Sequence, residues 1–220
     1  MQNQRKFYID GQWVDPHSQQ VAEVINPATE EVIGTIALGD QMDVDTAVAA
    51  ARKAFDQYAQ TSPAERIALL EKIIEVFKQR MPELADVISQ EVGAPLSLSQ
   101  VAQVPTGLKH FETALEVLRD FEWEKDLGRN RVVYEPVGVC ALITPWNWPL
   151  NQIVAKVAPA LATGCTMILK PSEIAPLNAI ILAEILHEAG TPAGVFNLVN
   201  GDGPGVGTAL AKHPDVDMIS

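Results

Sequence analysis

With 220 residues, 47% of them hydrophobic, the chain can bury a substantial core as one large or two small domains, which argues against a disordered protein. Its 28 acidic against 16 basic residues give a net charge of −12 without long like-charge runs, which argues against binding a nucleic-acid backbone or an anionic membrane surface. Both cysteines, Cys140 and Cys165, sit in apolar runs and Met1 to Trp13 contains no apolar leader, so a reducing compartment, the cytoplasm, is expected; no stretch reaches the ~18 to 20 apolar residues of a membrane span.

In chain order, two strand pairs come first: Phe7 to Trp13 around an Asp10-Gly11 turn, and Ala22 to Ala37 around Asn26-Pro27. They predict an N-terminal arm over residues 1–39. Past Gly39, the spacing of Val44, Ala47, Val48, Ala51, Phe55 and Tyr58 predicts a helix with Asp43 as its N-cap. Ser62-Pro63-Ala64-Glu65 is a capping box with proline at the first helical position, opening a second helix whose stripe is Ile67, Leu70, Ile73, Ile74 and Phe77. A third helix is expected over Pro82 to Val92, closed by Gly93, and a fourth over Leu96 to Leu118 with a kink near Pro105. Residues 40–119 thus read as a helical unit. Residues 120–136 carry Trp123, a Gly128-Arg129-Asn130 turn and Val132-Val133-Tyr134, a hairpin expected to pair with another sheet or subunit because two strands alone are marginal in water.

From 137 to 220 the rhythm changes. The apolar runs Val137 to Ile143, Cys165 to Leu169, Val195 to Val199 and Val216 to Ile219 alternate with helices near Leu150 to Thr163, Leu177 to Ala189 and Gly205 to Lys212. Continuous apolar strands alternating with helices predict an α/β fold with a parallel sheet covered on both faces. In such sheets ligands bind beyond the carboxyl ends of the strands, which directs attention to three loops. The first, Thr144-Pro145-Trp146-Asn147-Trp148-Pro149, lacks the glycines of the usual dinucleotide fingerprint. Its Asn147 is either an amide donor for a developing oxyanion or a helix N-cap. In the second, Lys170 and Glu173 suit the vicinal hydroxyls of a ribose, or form an exposed ion pair. The third is rich in glycine, Gly201, Gly203, Gly205 and Gly207, without forming the fingerprint. Lys156 lies on the following helix, snorkelling or placed near a reaction centre. Cys140 and Cys165 read as core packing, and His17, His110, His187 and His213 show no metal-ligand spacing.

Taken together, Asn26-Pro27-Ala28-Thr29, Glu135-Pro136-Val137-Gly138-Val139, Thr144 to Pro149, Ala158 to Cys165, Lys170-Pro171-Ser172-Glu173 and Gly203-Pro204-Gly205-Val206-Gly207 closely resemble the aldehyde dehydrogenase superfamily over essentially the whole chain. The resemblance implies a partial Rossmann-type parallel sheet with N-terminal helices, and a segment at 120–136 belonging to the family's oligomerisation hairpin. It implies Asn147 as the oxyanion-stabilising amide and Lys156 as a charge-relay lysine. Thr144, Pro145 and Trp146 would line the cofactor cleft, Lys170, Ser172 and Glu173 would hold the adenosine ribose, and Gly203 and Gly207 would admit the adenine side. Glu173 tilts the cofactor toward NAD, with NADP possible through Lys170. The family oxidises an aldehyde through a cysteine thiohemiacetal, and its cysteine and glutamate fall later than Ser220, so the 220 residues are expected to be inactive alone. The implied parent is a homo-oligomer, dimer or tetramer, acting on a small aldehyde whose identity is open. The alternative reading is a truncated, non-catalytic paralogue that serves as an assembly partner through the hairpin. A third is a freestanding nucleotide-binding module.

Overall fold

The computed structural model describes residues 3–220. The chain opens with two hairpins. β1 (Phe7–Ile9) and β2 (Gln12–Val14) turn at Asp10 and Gly11, both with positive φ, and β3 (Val21–Ile25) pairs with β4 (Val32–Ala37) as a separate two-stranded sheet. The first hairpin does more than open an arm: Tyr8 pairs with Leu198, so β1 and β2 form the edge of the main sheet.

Helix α1 (Gln41–Tyr58) starts three residues earlier than a cap at Asp43 would place it. Its N-cap is Asp40, whose carboxylate accepts from the Met42 and Asp43 amides, while Asp43, expected as the cap, occupies the third helical position and accepts from the Asp40 amide. The capping box is therefore acidic at both ends, a pattern masked in sequence by adjacent candidates. Asp40 also accepts from His17 at 2.7 Å; this hydrogen bond is the main cause of a raised His17 pKa and a lowered Asp40 pKa.

The second and third helices merge. α2 runs unbroken from Pro63 to Val92, capped by Ser62 with Glu65 and ended by Gly93 in the left-handed region at φ 76°. Pro82 lies inside it, at a cost of about 3 kcal/mol for the lost hydrogen bond and ring clash. Leu84, Ala85 and Ile88 continue the buried stripe of Leu70, Ile73 and Phe77, and each large side chain so buried contributes roughly 1.5–3 kcal/mol, which offsets the proline. The expected fourth helix divides into α3 (Leu96–Leu98), a π-helical stretch Ser99–Gln103, and α4 (Val104–Asp120). The wider turn ends just before Pro105, where it separates the ring from the carbonyl of the preceding turn. β5 (Glu124–Leu127) and β6 (Asn130–Val133) form the expected hairpin as a two-stranded sheet of its own, with Leu127 and Val133 exposed.

β7 (Val139–Ile143), α5 (Pro149–Thr163), β8 (Thr166–Lys170), α6 (Leu177–Glu188), β9 (Phe196–Leu198), a π-helical turn at Gly203–Gly207 leading into α7 (Thr208–Lys212), and β10 (Met218–Ile219) complete the chain. The sheet order is β10-β7-β8-β9-β1-β2, with β10, β7, β8 and β9 parallel. Side chains alternate across it. Cys140, Leu142, Met167 and Leu169 join the core under α2, α4, α5 and α6, whereas Val139, Ala141 and Ile168 pack with Val44, Ala47, Val48 and Leu210 of α1 and α7. The chain steps outward from β7 to β8 and β9, then returns past β7 to β10. The strand order therefore reverses between β7 and β10, the place where such sheets open a crevice at their carboxyl end.

Replacing Asp40 with alanine removes the side chain that accepts from the Met42 and Asp43 amides. Asp40→Ala should lower unfolding free energy by about 1 kcal/mol in urea denaturation, with the m-value unchanged.

Candidate functional site

The parallel ladder places the three loops beside one another. Ile143 is in register with Lys170 and Leu169 with Leu198, and the ladder continues past the strand ends through Thr144 N–H to Lys170 O at 3.2 Å and Val199 N–H to Leu169 O at 3.0 Å. On the far side, Ile143 N–H donates to Ser220 O at 2.9 Å. Along the carboxyl rim, in sheet order, stand Ser220 after β10, Thr144 to Trp148 after β7, Lys170 to Glu173 after β8, and Asn200 to Gly207 after β9.

Lys170 is the centre of this rim. Its side chain is only 3% exposed, and Nζ donates to Gly201 O at 2.6 Å, Pro171 O at 2.9 Å and Glu173 Oε2 at 3.2 Å. Burial lowers its pKa against the opposing pull of Glu173. An exposed ion pair beside a turn is thus ruled out on the lysine side, while Glu173 keeps 40% of its side chain exposed and can still meet a ligand. Ser172 is buried, and its Oγ accepts from the Ile174 amide at 3.3 Å, closing a local turn.

Asn147 does not cap α5. The N-cap position is Trp148, without a side-chain hydrogen bond, and Asn147 is exposed one residue before it. Pro145 and Trp146 are exposed as well, whereas Thr144 is 4% exposed with its Oγ1 buried and unpartnered. Lys156 reaches back from α5 to donate to Ser220 Oγ at 2.7 Å in an exposed contact, which puts its ammonium at the β10 end of the rim.

At Gly203 an added Cβ would meet nothing within 4 Å, and at Gly207 it would make ordinary contacts at 3.7 Å with Asp202 O and 3.8 Å with the Lys170 stem. Crowding within the chain does not require glycine at either position. It does at Gly201, where a Cβ would come within 2.3 Å of Val206 Cγ2, a constraint the glycine-rich sequence concealed. Asn200 was also missed: it is 1% exposed with both side-chain polar atoms unpartnered, and the signal was only its place directly after a strand.

The cysteines stand apart. Cys165 precedes β8 at the amino end of the strand, opposite the rim, with Thr163 Oγ1 3.4 Å away; Cys140 is fully buried in β7, and the neighbouring Cys165 thiol together with burial raises its pKa. Neither can act as a rim nucleophile. Among the described residues no cluster of potential metal ligands occurs and no helix is long and apolar enough to cross a membrane.

A parallel sheet with helices on both faces and polar side chains gathered at its carboxyl rim defines a doubly wound α/β domain. The model of the aldehyde dehydrogenase family matches residues 13–220, and the chain belongs to that family of oxidoreductases acting on aldehydes. A 3-succinoylsemialdehyde-pyridine dehydrogenase from Pseudomonas sp. is 60% identical across 100% of the chain, which covers 46% of that relative. Among solved structures, aldehyde dehydrogenase C from Pseudomonas syringae, a mutant complexed with NAD+ and octanal, is 52% identical with a TM-score of 0.98, covering 99% of the chain and 45% of its own. A betaine aldehyde dehydrogenase point mutant from Staphylococcus aureus, complexed with NAD+, is 36% identical with a TM-score of 0.93, covering 99% of the chain and again 45% of its own. The chain thus spans about half the length of the relatives it matches.

Lys170→Met would leave the Pro171 and Gly201 carbonyls without their donor. The variant should lose about 2–3 kcal/mol of stability in chemical denaturation, while Glu173→Gln, which keeps both carbonyl bonds, should lose under about 1 kcal/mol.

Proposed function

We propose that the chain is the cofactor-holding part of an NAD-dependent aldehyde dehydrogenase, with NADP as the less favoured cofactor. The observation that carries the reading is the shared carboxyl rim of Asn147, Lys156, Lys170 and Glu173, beside the reversal of strand order. On this reading residues 1–39 are the N-terminal arm, 40–119 the helical part of the cofactor domain, 120–136 the oligomerisation hairpin, and 137–220 the first half of the dinucleotide-binding unit.

The residues present fit a dinucleotide. Lys170 presents Glu173 as an acceptor for ribose hydroxyls, and the same carboxylate opposes a 2′-phosphate. Ser172 shapes that loop, Gly203 and Gly207 leave space for the adenine side, and Thr144, Pro145 and Trp146 form the wall after β7, where the orphaned Thr144 hydroxyl supplies a hydrogen-bonding group. Bound there, a nicotinamide dinucleotide supplies the hydride acceptor for aldehyde oxidation.

The chain's own contribution to the chemistry is positional. Asn147, exposed after β7 in a proline-bracketed loop, donates to the carbonyl oxygen as negative charge develops when a cysteine thiolate adds to form the thiohemiacetal. Lys156, at the β10 end, holds a positive charge near that centre. The thiolate must come from elsewhere than Cys140 and Cys165, so the 220 residues alone are inactive on this account. The parent acts as a homo-oligomer in the cytoplasm, and the name of the 60% identical relative makes a pyridine-bearing semialdehyde the first substrate to test.

Calorimetric titration should show NAD+ binding to the chain more tightly than NADP+, and Glu173→Gln should narrow that preference by about tenfold. An unchanged preference would remove Glu173 from the ribose site. In a full-length enzyme carrying this sequence, Asn147→Ala should lower kcat by roughly 10² to 10³ with little change in NAD+ affinity, whereas an unchanged kcat would end its oxyanion role.

A further inference from the structure

Helix α6, which follows the Lys170–Glu173 loop, has no cap of its own: Pro176 stands at its N-cap position and provides no side-chain hydrogen bond. The acceptor comes from another helix. Glu91, 1% exposed in the last turn of α2, accepts from the Leu177 amide at 2.6 Å through Oε2, and through Oε1 from the Asn178 amide at 3.0 Å and Asn178 Nδ2 at 2.6 Å. A buried carboxylate is costly, and three N–H donors at a helix N-terminus are the arrangement that compensates it.

The bonds continue toward the rim. Asn178 Nδ2 also donates to Ala175 O at 2.9 Å, the Ala175 amide donates to Ser172 O at 3.2 Å, and Ser172 Oγ accepts from the Ile174 amide. Glu91 is thereby linked, bond by bond, to the turn that presents Lys170 and Glu173. Its own end of α2 is fixed by Gly93, where a Cβ would come within 2.7 Å of Pro27 Cγ.

We propose that Glu91 is a positioning residue for the cofactor rim, supplying from α2 the cap that α6 lacks and so holding the Lys170–Glu173 loop in the conformation that receives the adenosine half of the dinucleotide. The loop's purpose rests on the cofactor reading above; the clamp rests on the hydrogen bonds alone.

Burial pushes the Glu91 carboxyl up to about 7, against the pull of the Asn178 side chain and the two amides. The groups facing it from α6 are Asn178 and the Leu177 amide, neither titratable, and among the described residues no charged group pairs with it. The ion pair that also joins these helices, Arg80 with Glu184, lies about 16 Å away along α2. Because the folded-state value exceeds the unfolded 4.5, this carboxyl's contribution to stability is fully present below pH 4.5 and is lost as pH rises through about 7. The clamp, by contrast, is complete only when the carboxylate is ionised. Stability and cofactor affinity must therefore move in opposite directions across this interval.

The test combines amide hydrogen exchange, melting temperature and NAD+ calorimetry on the wild-type chain and Glu91→Gln, from about pH 5.5 to about 8.5. In Glu91→Gln, protection at Leu177, Asn178 and residues 171–176 should drop and NAD+ should bind about tenfold more weakly at pH 8. In wild type, affinity should rise through about pH 7 while melting temperature falls, and both slopes should flatten in the variant. Unchanged exchange in Glu91→Gln with intact NAD+ binding would overturn the clamp, as would a wild-type affinity that falls together with stability. Should the variant not fold, the wild-type pH series alone decides by the same criterion. Absence of NAD+ binding by wild type would instead overturn the cofactor reading, leaving exchange to decide the clamp.

Discussion

The rim depends on one buried charge. Lys170 ends β8 with its ammonium out of water, and what makes that tolerable is a set of three acceptors drawn from two different loops: Pro171 O and Glu173 Oε2 after β8, and Gly201 O after β9. An ammonium so placed cannot relax without leaving its acceptors unsatisfied, and the carbonyls cannot move without stranding the charge. The two loops are consequently fixed with respect to each other. The parallel register then fixes Thr144 and the segment bearing Asn147 with respect to Lys170 through the Thr144 amide. A site assembled from loops acquires the rigidity of the sheet beneath it, which is what positioning a cofactor and an amide donor requires.

Much of this was legible in the residues because local chemistry and tertiary packing agree. The Ser62 capping box, the Gly93 stop, the Asp10-Gly11 turn and the alternation of apolar strands with helices all appear where their patterns place them. Most of the failures share a cause, interactions that are distant in sequence, whereas the α1 cap is decided between two acidic residues only three apart. Pro82 reads locally as a helix start, yet burial on both sides carries α2 through it. Asp43 has the right type and spacing for a cap, but Asp40 takes the position and leaves Asp43 the reciprocal role. Lys170 and Glu173 were found, but the depth of the lysine was not, since its partner Gly201 lies 31 residues away. Glu91 carried no local signal, because it caps a helix that begins 86 residues later.

The apolar surface has a different distribution from the rim. A groove of about 410 Å³, lined by His110, Val117, Phe121, Trp123, Tyr134 and Pro159 among others, runs along α4, α5 and the base of the β5–β6 hairpin and contains none of the rim residues. Arg66 of α2 stacks on Trp123 at 4.7 Å from the ring centroid, fastening the hairpin's first residues to the helical layer while its strands keep both edges open. The groove thus lies apart from the rim, while Trp146 and Ile174 add exposed apolar area at the rim itself.

Cofactor binding at the rim requires that adenosine be cradled where Lys170 joins the two loops. The most direct measurement is a nitrogen-15 NMR titration of the chain with NAD+, reading amide shifts residue by residue. Perturbations confined to Thr144–Trp146, Lys170–Glu173 and Gly201–Gly207 are the outcome expected. Saturable shifts centred instead on Val117, Phe121 and Tyr134, or none at the rim with ligand in large excess, would contradict it.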